Sequence, residues 1–351
     1  MTIVFYISGH GLGHATREVA VINALAARRR DLRFLLRTMA PRWLIEGSAS
    51  APVEVQAVET DPGVVQIDSL RLDEEETARR AAVFYRDFED RVADEAAVLR
   101  AAEARLVVGD IPPLAFAAAT HAGVRSVAIG NFTWDWIYSF YPAFERVAAG
   151  VIDTIREGYA HARDALRLPL HGGFGSIATI IEDIPFIVRR SARGRARARR
   201  VLGLGEGRPV VLPSFGGYGV DLPYDEISKP GRFELLTGEA PHGLRYEDLV
   251  AAADVVVSKP GYGIVSDCLA NQTALLYTSR GRFAEYEVFV DQMPRILRCR
   301  YISQEDLLAG RWADAVDALV AQPPPPERPG TDGAEVAAAR ILNWLEGSFG
   351  C

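Results

Sequence analysis

The sequence predicts an α/β protein made of two doubly wound, Rossmann-like halves. Three observations carry that expectation. Short apolar runs alternate with helically spaced patterns along most of the chain, the order that produces parallel sheets with crossover helices. The 351 residues exceed what one average hydrophobic core organises, so two domains are expected. The runs also fall into two groups on either side of a basic stretch, Arg189–Arg200.

In the first group, Thr2–Ser8 is an apolar run bounded by Gly9, as a buried parallel strand requires. Thr16–Arg29 places Val19, Ile22 and Leu25 at helical spacing, and Leu32–Met39 is a second strand, completing a βαβ unit. Arg71–Glu103 is a long, charged, Ala-rich helical region. Arg105–Gly109 reads as a strand ending at Asp110, Leu114–Ala122 as a helix, Arg125–Gly130 as a strand and Asp153–Leu166 as a helix.

The second group begins near Val201. Pro209–Pro213 is a strand followed by Ser214-Phe215-Gly216-Gly217-Tyr218-Gly219. Tyr246–Ala253, Val255–Ser258, Gly263–Ala270 and Ala274–Thr278 continue as helix, strand, helix and strand. The Pro323–Pro326 run is a stiff spacer before a last helix, Gly333–Leu345. The domains expected are 1–190, 195–325, and a terminal segment 333–351.

Charge and cysteine usage narrow the function classes. Lys and Arg number 39 against 46 Asp and Glu, a net charge of −7, which argues against a nucleic-acid partner. Cys268, Cys299 and Cys351 form no CxxC pair and read as reduced thiols of a cytoplasmic protein. No apolar run reaches about 18 residues, so no spanning helix is expected. The Arg189–Arg200 run reads as a solvated helix face, or else as a surface for an anionic partner such as a membrane, leaving peripheral contact open. Oligomeric state has no signal in the sequence.

Chemistry concentrates at strand ends, where open α/β sheets place ligands. The first βα loop, SGHGLGHATR, holds Gly9, His10, Gly11, Gly13, His14 and Arg17. Tested as a dinucleotide fingerprint it fails: the third glycine position is His14, and the second strand ends Arg37-Thr38-Met39 with no acid for a ribose. His14 at the helix opening suits a general base for a sugar hydroxyl, because imidazole titrates near neutrality. With no Cys, Asp or Glu in the loop, no metal site is expected. Asp110 ends a strand at the same sheet edge. There it orients the imidazole or caps the next helix, and the pattern alone leaves both open. Gly216 and Gly217 let backbone amides approach a diphosphate, or make a plain turn. In SKPGYGIVSD, a strand ends, Gly261 turns the chain, and a helix opens near Gly263 with amides aimed at a phosphate. Lys259 would neutralise a leaving diphosphate, and Asp267 would accept from a ribose diol; the same residues also fit an ordinary βα turn. The cluster Asn131-Phe132-Thr133-Trp134-Asp135-Trp136 reads as packing or as an acceptor wall, since sugars stack on aromatic faces.

These segments, in order and together with EDIPFIVRR and EDLLAGRW, resemble the glycosyltransferase-like N-terminal part of plant L-arabinokinase and its stand-alone bacterial relatives. More distantly the chain is similar to GT-B glycosyltransferases of the MurG and UDP-glycosyltransferase type. The resemblance stops short of a sugar-kinase module, so kinase activity is not expected. The resemblance implies two Rossmann-like domains facing a cleft, the acceptor on the first and a nucleotide-sugar on the second, with the last helix crossing back to the first domain. It implies an inverting enzyme of the hexosyltransferase class, with a UDP-sugar as co-substrate, a hydroxyl-bearing acceptor and no permanently bound cofactor. Gly13-His14 matches the base position, Asp110 its acidic partner, Ser266-Asp267 the donor-side pair and Glu285 the acid after the next strand. Two positions depart from the pattern: Lys259 stands where many plant-type members carry histidine, and Glu285-Tyr286 where an Asp-Gln pair is usual, with Asp291-Gln292 further on. A nucleotide-sugar 2-epimerase using Asp110 and Glu285, and a non-catalytic sugar- or nucleotide-binding regulator, are the alternatives.

Overall fold

The computed structural model describes residues 1–177, 180–216, 219–238, 240–241 and 243–347. The chain divides into two compact units: residues 1–65, 72–187 and 330–351, and residues 66–71 with 188–329.

The first unit runs β1 (Thr2–Ile7), α1 (Gly13–Arg28), β2 (Arg33–Arg37), α2 (Arg42–Ser48), β3 (Val53–Gln56), α3 (Glu74–Arg86), α4 (Phe88–Ala101), β4 (Ala104–Asp110), α5 (Pro113–Ala122), β5 (Ser126–Gly130), α6 (Trp134–Ser139), α7 (Ala143–Val147), α8 (Val151–Ala160), β6 (Asp164–Arg167) and β7 (Ile180–Asp183). Its strands form one parallel sheet in the order β3-β2-β1-β4-β5-β6-β7. Ile3–Ile7 are completely buried, as the unbroken apolar run anticipates for a strand covered on both faces. The strand order reverses between β1 and β4, so the loop after β1 and the end of β4 meet at a topological switch point.

Two expected helices end early, each because packing overrides local pattern. Arg71–Glu103 is two helices broken at Asp87: α3 packs on α7 and α8, whereas α4 packs on α5. Asp73 caps α3 by accepting from the Glu76 amide at 2.9 Å. The helix expected through Leu166 stops at Ala160, and Ala165 and Leu166 instead pair with Ala128 and Ile129 of β5. A four-residue segment, Asp164-Ala165-Leu166-Arg167, is too short for a period that distinguishes the two states.

The second unit continues with α9 (Arg195–Leu202), β8 (Val210–Pro213), α10 (Tyr224–Ser228), β9 (Glu234–Leu235), α11 (Tyr246–Ala252), β10 (Val255–Ser258), α12 (Tyr262–Asn271), β11 (Ala274–Tyr277), α13 (Glu285–Ile296), β12 (Cys299–Tyr301), α14 (Gln304–Leu308) and α15 (Ala313–Val320). Its parallel sheet has the order β12-β11-β10-β8-β9, with a switch point between β8 and β10. Its core gathers Val211, Val255, Val257, Leu276, Trp312 and Leu319, and includes Leu70 from the 66–71 segment. The short α10 and β9 form a reduced βα unit between Gly219 and Tyr246.

The last helix, α16 (Gly333–Gly347), belongs to the first unit and packs on α1, where Arg28 donates to the Glu335 carbonyl. A Cβ at Gly333 would lie 2.1 Å from the Pro185 carbonyl oxygen, so glycine permits this close approach. Among the described residues no helix is long and apolar enough to cross a membrane. The basic run is mostly turned onto acids of its own unit. Arg195 and Arg199 each reach Asp254 at 2.6 Å, and Arg189 pairs with Asp267, while Arg197 and Arg200 stay exposed.

Candidate active site

At the first switch point, Ile7 of β1 is in register with Asp110 of β4, and the Ser8 amide donates to the Asp110 carbonyl at 2.8 Å. The following loop turns at Gly11, whose φ of +73° suits glycine, and α1 opens at Gly13 with Leu12 as a cap that offers no side-chain bond. His14, in the first turn, places Nδ1 2.8 Å from Asp110 Oδ1. One turn on, Arg17 donates from Nε to Asp110 Oδ2 at 2.5 Å, from Nη2 to Oδ1, and from Nη1 to Asn131 Oδ1 at 2.7 Å.

Burial alone would raise the Asp110 carboxyl, but the charges and hydrogen bonds of Arg17 and His14 hold it below its ordinary value. It is therefore an anion at neutral pH. Arg17 Nη2, a donor, also lies 3.0 Å from His14 Nδ1; in the tautomer that bonds Asp110, which only accepts, Nδ1 carries the proton and Nε2 is the basic end. Glu18 is fully buried beside this group, and neither of its oxygens has a hydrogen-bond partner. Burial first, then the Asp110 charge, push its carboxyl well above the usual range, which keeps it neutral.

The segment 60–64 forms a further wall that the sequence did not disclose. Thr60 Oγ1 donates to the Ile7 carbonyl at 3.1 Å, Asp61 Oδ1 accepts from Ser8 Oγ at 2.9 Å, and the Val64 amide donates to His10 Nδ1 at 3.3 Å. The only sequence signal was Asp61-Pro62-Gly63, which marks a turn but no chemistry.

The aromatic cluster supports the histidines rather than presenting an open wall. His10 meets Trp134 edge-on at 5.6 Å and His14 meets Phe132 at 5.5 Å. Trp134 is fully buried and stacks on Tyr138, so it has no face for a ligand to stack on. Trp136 is half-buried and closes on Gly172 and Gly173. Asn131 is buried and turned to Arg17. Both Asn131 and Trp134 are thus buried in this structure, since burying aromatic rings stabilises more than leaving them exposed.

At the second switch point, Gly216 follows β8 with φ of +73°, while Gly217 lies outside the described residues. Gly261 is the N-cap of α12 and offers no side-chain acceptor; Gly263 lies in the first turn. The amides at this opening are orphaned in the way that suits an anion. Lys259 Nζ donates to Gln66 Oε1 at 3.3 Å. Burial, reinforced by the Arg280 charge and opposed by Asp68, lowers its pKa to about 7. Arg280 was missed by the sequence reading. Its guanidinium lies 3.7 Å over the Phe283 ring, with Nη1 3.9 Å from where a Gly261 Cβ would sit, which makes it a second cation at the opening of α12. Its signal was an Arg after the strand that follows Lys259.

Asp267 is buried and taken up by Arg189, whose amide and Nε reach Oδ1 at 3.2 and 3.3 Å and whose Nη2 donates to Oδ2. Asp267 is thus held in an ion pair with Arg189. Arg189 lies 4.8 Å over the Tyr246 ring, and Tyr246 OH is 2.7 Å from Ser214 Oγ. Ser266 Oγ donates back to the Gly263 carbonyl at 3.0 Å, and Glu285 is buried at the start of α13. The 66–71 segment adds Ser69, which donates to the Phe215 carbonyl at 2.6 Å. It also supplies Asp68, Leu70 and Arg71 to a cavity of about 730 Å³ shared with Gly219, Asp221 and Gln304. Among the described residues no group of three or more His, Cys, Asp or Glu side chains is arranged to hold a metal.

No family model matches the chain. It is 32% identical, over an alignment 365 positions long, to L-arabinokinase of Arabidopsis thaliana, covering 96% of this chain and 34% of that one. The chain thus spans about a third of the curated relative it matches. Among solved structures, the glycotransferase of kitacinnamycin superposes over 98% of both chains at a TM-score of 0.62 and 17% identity. The chain has the GT-B fold. Two other GT-B structures agree. Phytolacca americana UGT2 complexed with UDP-2fluoro-glucose and pterostilbene is 14% identical, with 98% of this chain and 94% of that one covered at a TM-score of 0.58. The glycosyltransferase VinC in complex with DTDP is 15% identical, with 99% and 95% covered at 0.54. Each GT-B half of this chain carries its chemistry-bearing residues where its own strand order reverses.

Proposed function

We propose that the chain is an inverting glycosyltransferase that moves a hexose-type sugar from a nucleoside diphosphate, UDP in the first instance, to a hydroxyl acceptor. The observation that carries this reading is the buried His14–Asp110 pair at the first switch point, an imidazole oriented by an ionised carboxylate. The first unit takes the acceptor, with His10, Gly11 and Gly13 in the loop that surrounds the base; the second takes the donor.

His14 Nε2 accepts the hydroxyl proton as the oxygen bonds to the anomeric carbon. The bond from that carbon to the diphosphate breaks on the opposite face, and its electron pair leaves with the diphosphate. Asp110 stabilises the imidazolium, and Arg17 and Asn131 fix the carboxylate. Charge growing on the diphosphate is met by Lys259, by backbone amides at Gly216 and by the Gly261–Gly263 opening of α12, dipoles already aimed at that charge. A ribose reaches Asp267 only if Arg189 exchanges. The reaction requires no resident cofactor, and the free buried thiols Cys268 and Cys299 suit a cytoplasmic enzyme.

The test is thermal shift and product chromatography with a panel of UDP-, GDP- and dTDP-sugars. At least one should raise the melting temperature and be turned over slowly to water; no binding and no turnover across the panel overturns the proposal.

A further inference from the structure

Residues 66–71 belong to the second unit, although the chain on either side of them belongs to the first. They form a closed loop. The Asp73 amide donates to the Val65 carbonyl at 2.9 Å, and the Ile67 amide to the Arg71 carbonyl at 3.0 Å. Asp68 Oδ1 accepts from the amides of Leu70 and Arg71, each at 2.8 Å, and Oδ2 accepts from Arg71 Nε at 2.7 Å. The tip is anchored twice: Leu70 is buried in the core of the second unit, and Ser69 Oγ donates to the Phe215 carbonyl at 2.6 Å. A loop held in this way presents its first side chain, Gln66, in a fixed place. There Gln66 Oε1 accepts from Lys259 Nζ at 3.3 Å.

Lys259 is unusual for this chain. Of the 39 Lys and Arg residues only Lys229 and Lys259 are lysine. An ammonium is a compact point charge on a flexible stem, without the planar fork that fixes the direction of a guanidinium. A lysine beside the opening of α12 therefore needs an acceptor to hold it there.

We infer that Gln66 is a positioning residue for the donor: its side-chain carbonyl holds the Lys259 ammonium beside the opening of α12, so that the 66–71 loop sets where that charge meets the diphosphate. This rests on the reading of Lys259 as a diphosphate-binding cation.

The charged groups facing Lys259 are Arg280, after β11, and Asp68, on the same loop as Gln66. The loop abuts the turn that carries Arg280, since a Cβ at Gly281 would lie 3.5 Å from the Leu70 carbonyl oxygen. Burial, then the Arg280 charge, lower the Lys259 ammonium to about 7, and Asp68 opposes them. Burial raises the Asp68 carboxyl, but the Leu70 amide and the guanidinium and amide of Arg71 outweigh it, so Asp68 stays an anion at neutral pH. A neutral amide suits the position of Gln66: it favours the charged ammonium without cancelling the charge offered to a diphosphate.

The experiment is an NMR titration of the lysine side chains in the full chain. Two lysines give two sets of side-chain signals; exposed Lys229 is the internal reference, and Lys259 is assigned by its loss in Lys259→Met. Gln66→Leu should lower the Lys259 midpoint by about one pH unit, because an acceptor of the charged form is lost. Gln66→Glu should raise it by about one pH unit or more, because a carboxylate replaces the amide. The pH above which affinity for UDP falls, read by calorimetry, should move with the midpoint in both variants. Gln66→Glu is nearly isosteric and serves if Gln66→Leu does not fold. An unchanged Lys259 midpoint in either folded variant overturns the inference, and so does a shift in the same direction in both, which marks a general disturbance of the loop. Midpoints that move in opposite directions while UDP affinity does not follow them support the hold of Gln66 on Lys259 and reject the donor role of Lys259, so the two failures are distinguishable.

Discussion

The Nδ1 atom of His14 lies 2.8 Å from Oδ1 of Asp110 across 96 residues of chain. The contact exists because β1 and β4 are neighbours at the switch point. It makes Asp110→Asn a selective probe, because the amide keeps the shape and removes the charge. Turnover per unit of donor should fall by about 10²–10⁴, the range for losing an oriented acid/base group. The folded protein should also lose about 3 kcal/mol in urea unfolding, since the charge-assisted bonds of the buried carboxylate to Arg17 and His14 are lost.

The donor role proposed for Lys259 predicts that diphosphate binding depends on pH. Its pKa in the folded chain is about 7, against an ordinary value of 10.5. Below pH 7 the ammonium is charged and binds the anion; above pH 7 binding must first take up a proton. Affinity for UDP, measured by calorimetry, should therefore fall as pH rises from 7 towards 10.5, and Lys259→Met should bind weakly with a flat profile. Folding has the opposite sign. In that window the unfolded chain holds a proton that the folded chain has released, so this group makes folding more favourable as pH rises.

Asp267 and Arg189 should behave as one unit. Asp267→Ala leaves a mostly buried guanidinium, and Arg189→Ala a fully buried carboxylate; each should cost about 3 kcal/mol. The double variant should cost clearly less than the sum, as measured by a denaturation cycle. Additive losses would show that the pair is not the interaction that matters.

Gly63 tests the 60–64 turn. Its φ is +59°, and an added Cβ would sit 2.9 Å from the His10 Cβ. Gly63→Ala should destabilise by about 1–2 kcal/mol from backbone strain. It should also displace the His10 ring, visible as a shift of its NMR signals, while leaving the melting-temperature increase caused by UDP intact.

The sequence made the fold class and the His14–Asp110 pair legible because both depend on short-range patterns: apolar runs that become buried strands, and polar residues placed where those runs stop. His14 and Asp110 were found in that way. The burial of Asp61 was not, because a turn written Asp-Pro-Gly looks the same whether its carboxylate faces water or the Ser8 hydroxyl. Arg280 and the Arg189–Asp267 pair were hidden for a similar reason, since each depends on contacts between distant segments. The strands β3, β6, β7, β9 and β12 were missed because two- to four-residue strands are specified by their neighbours in the sheet and not by their own period.

The most direct test of the central claim compares His14→Ala with the unaltered protein on one nucleotide-sugar that both bind. Turnover should fall by about 10³ or more while the thermal shift produced by the donor is unchanged, because the base acts only in the chemical step. Turnover by His14→Ala equal to that of the unaltered protein would contradict the account.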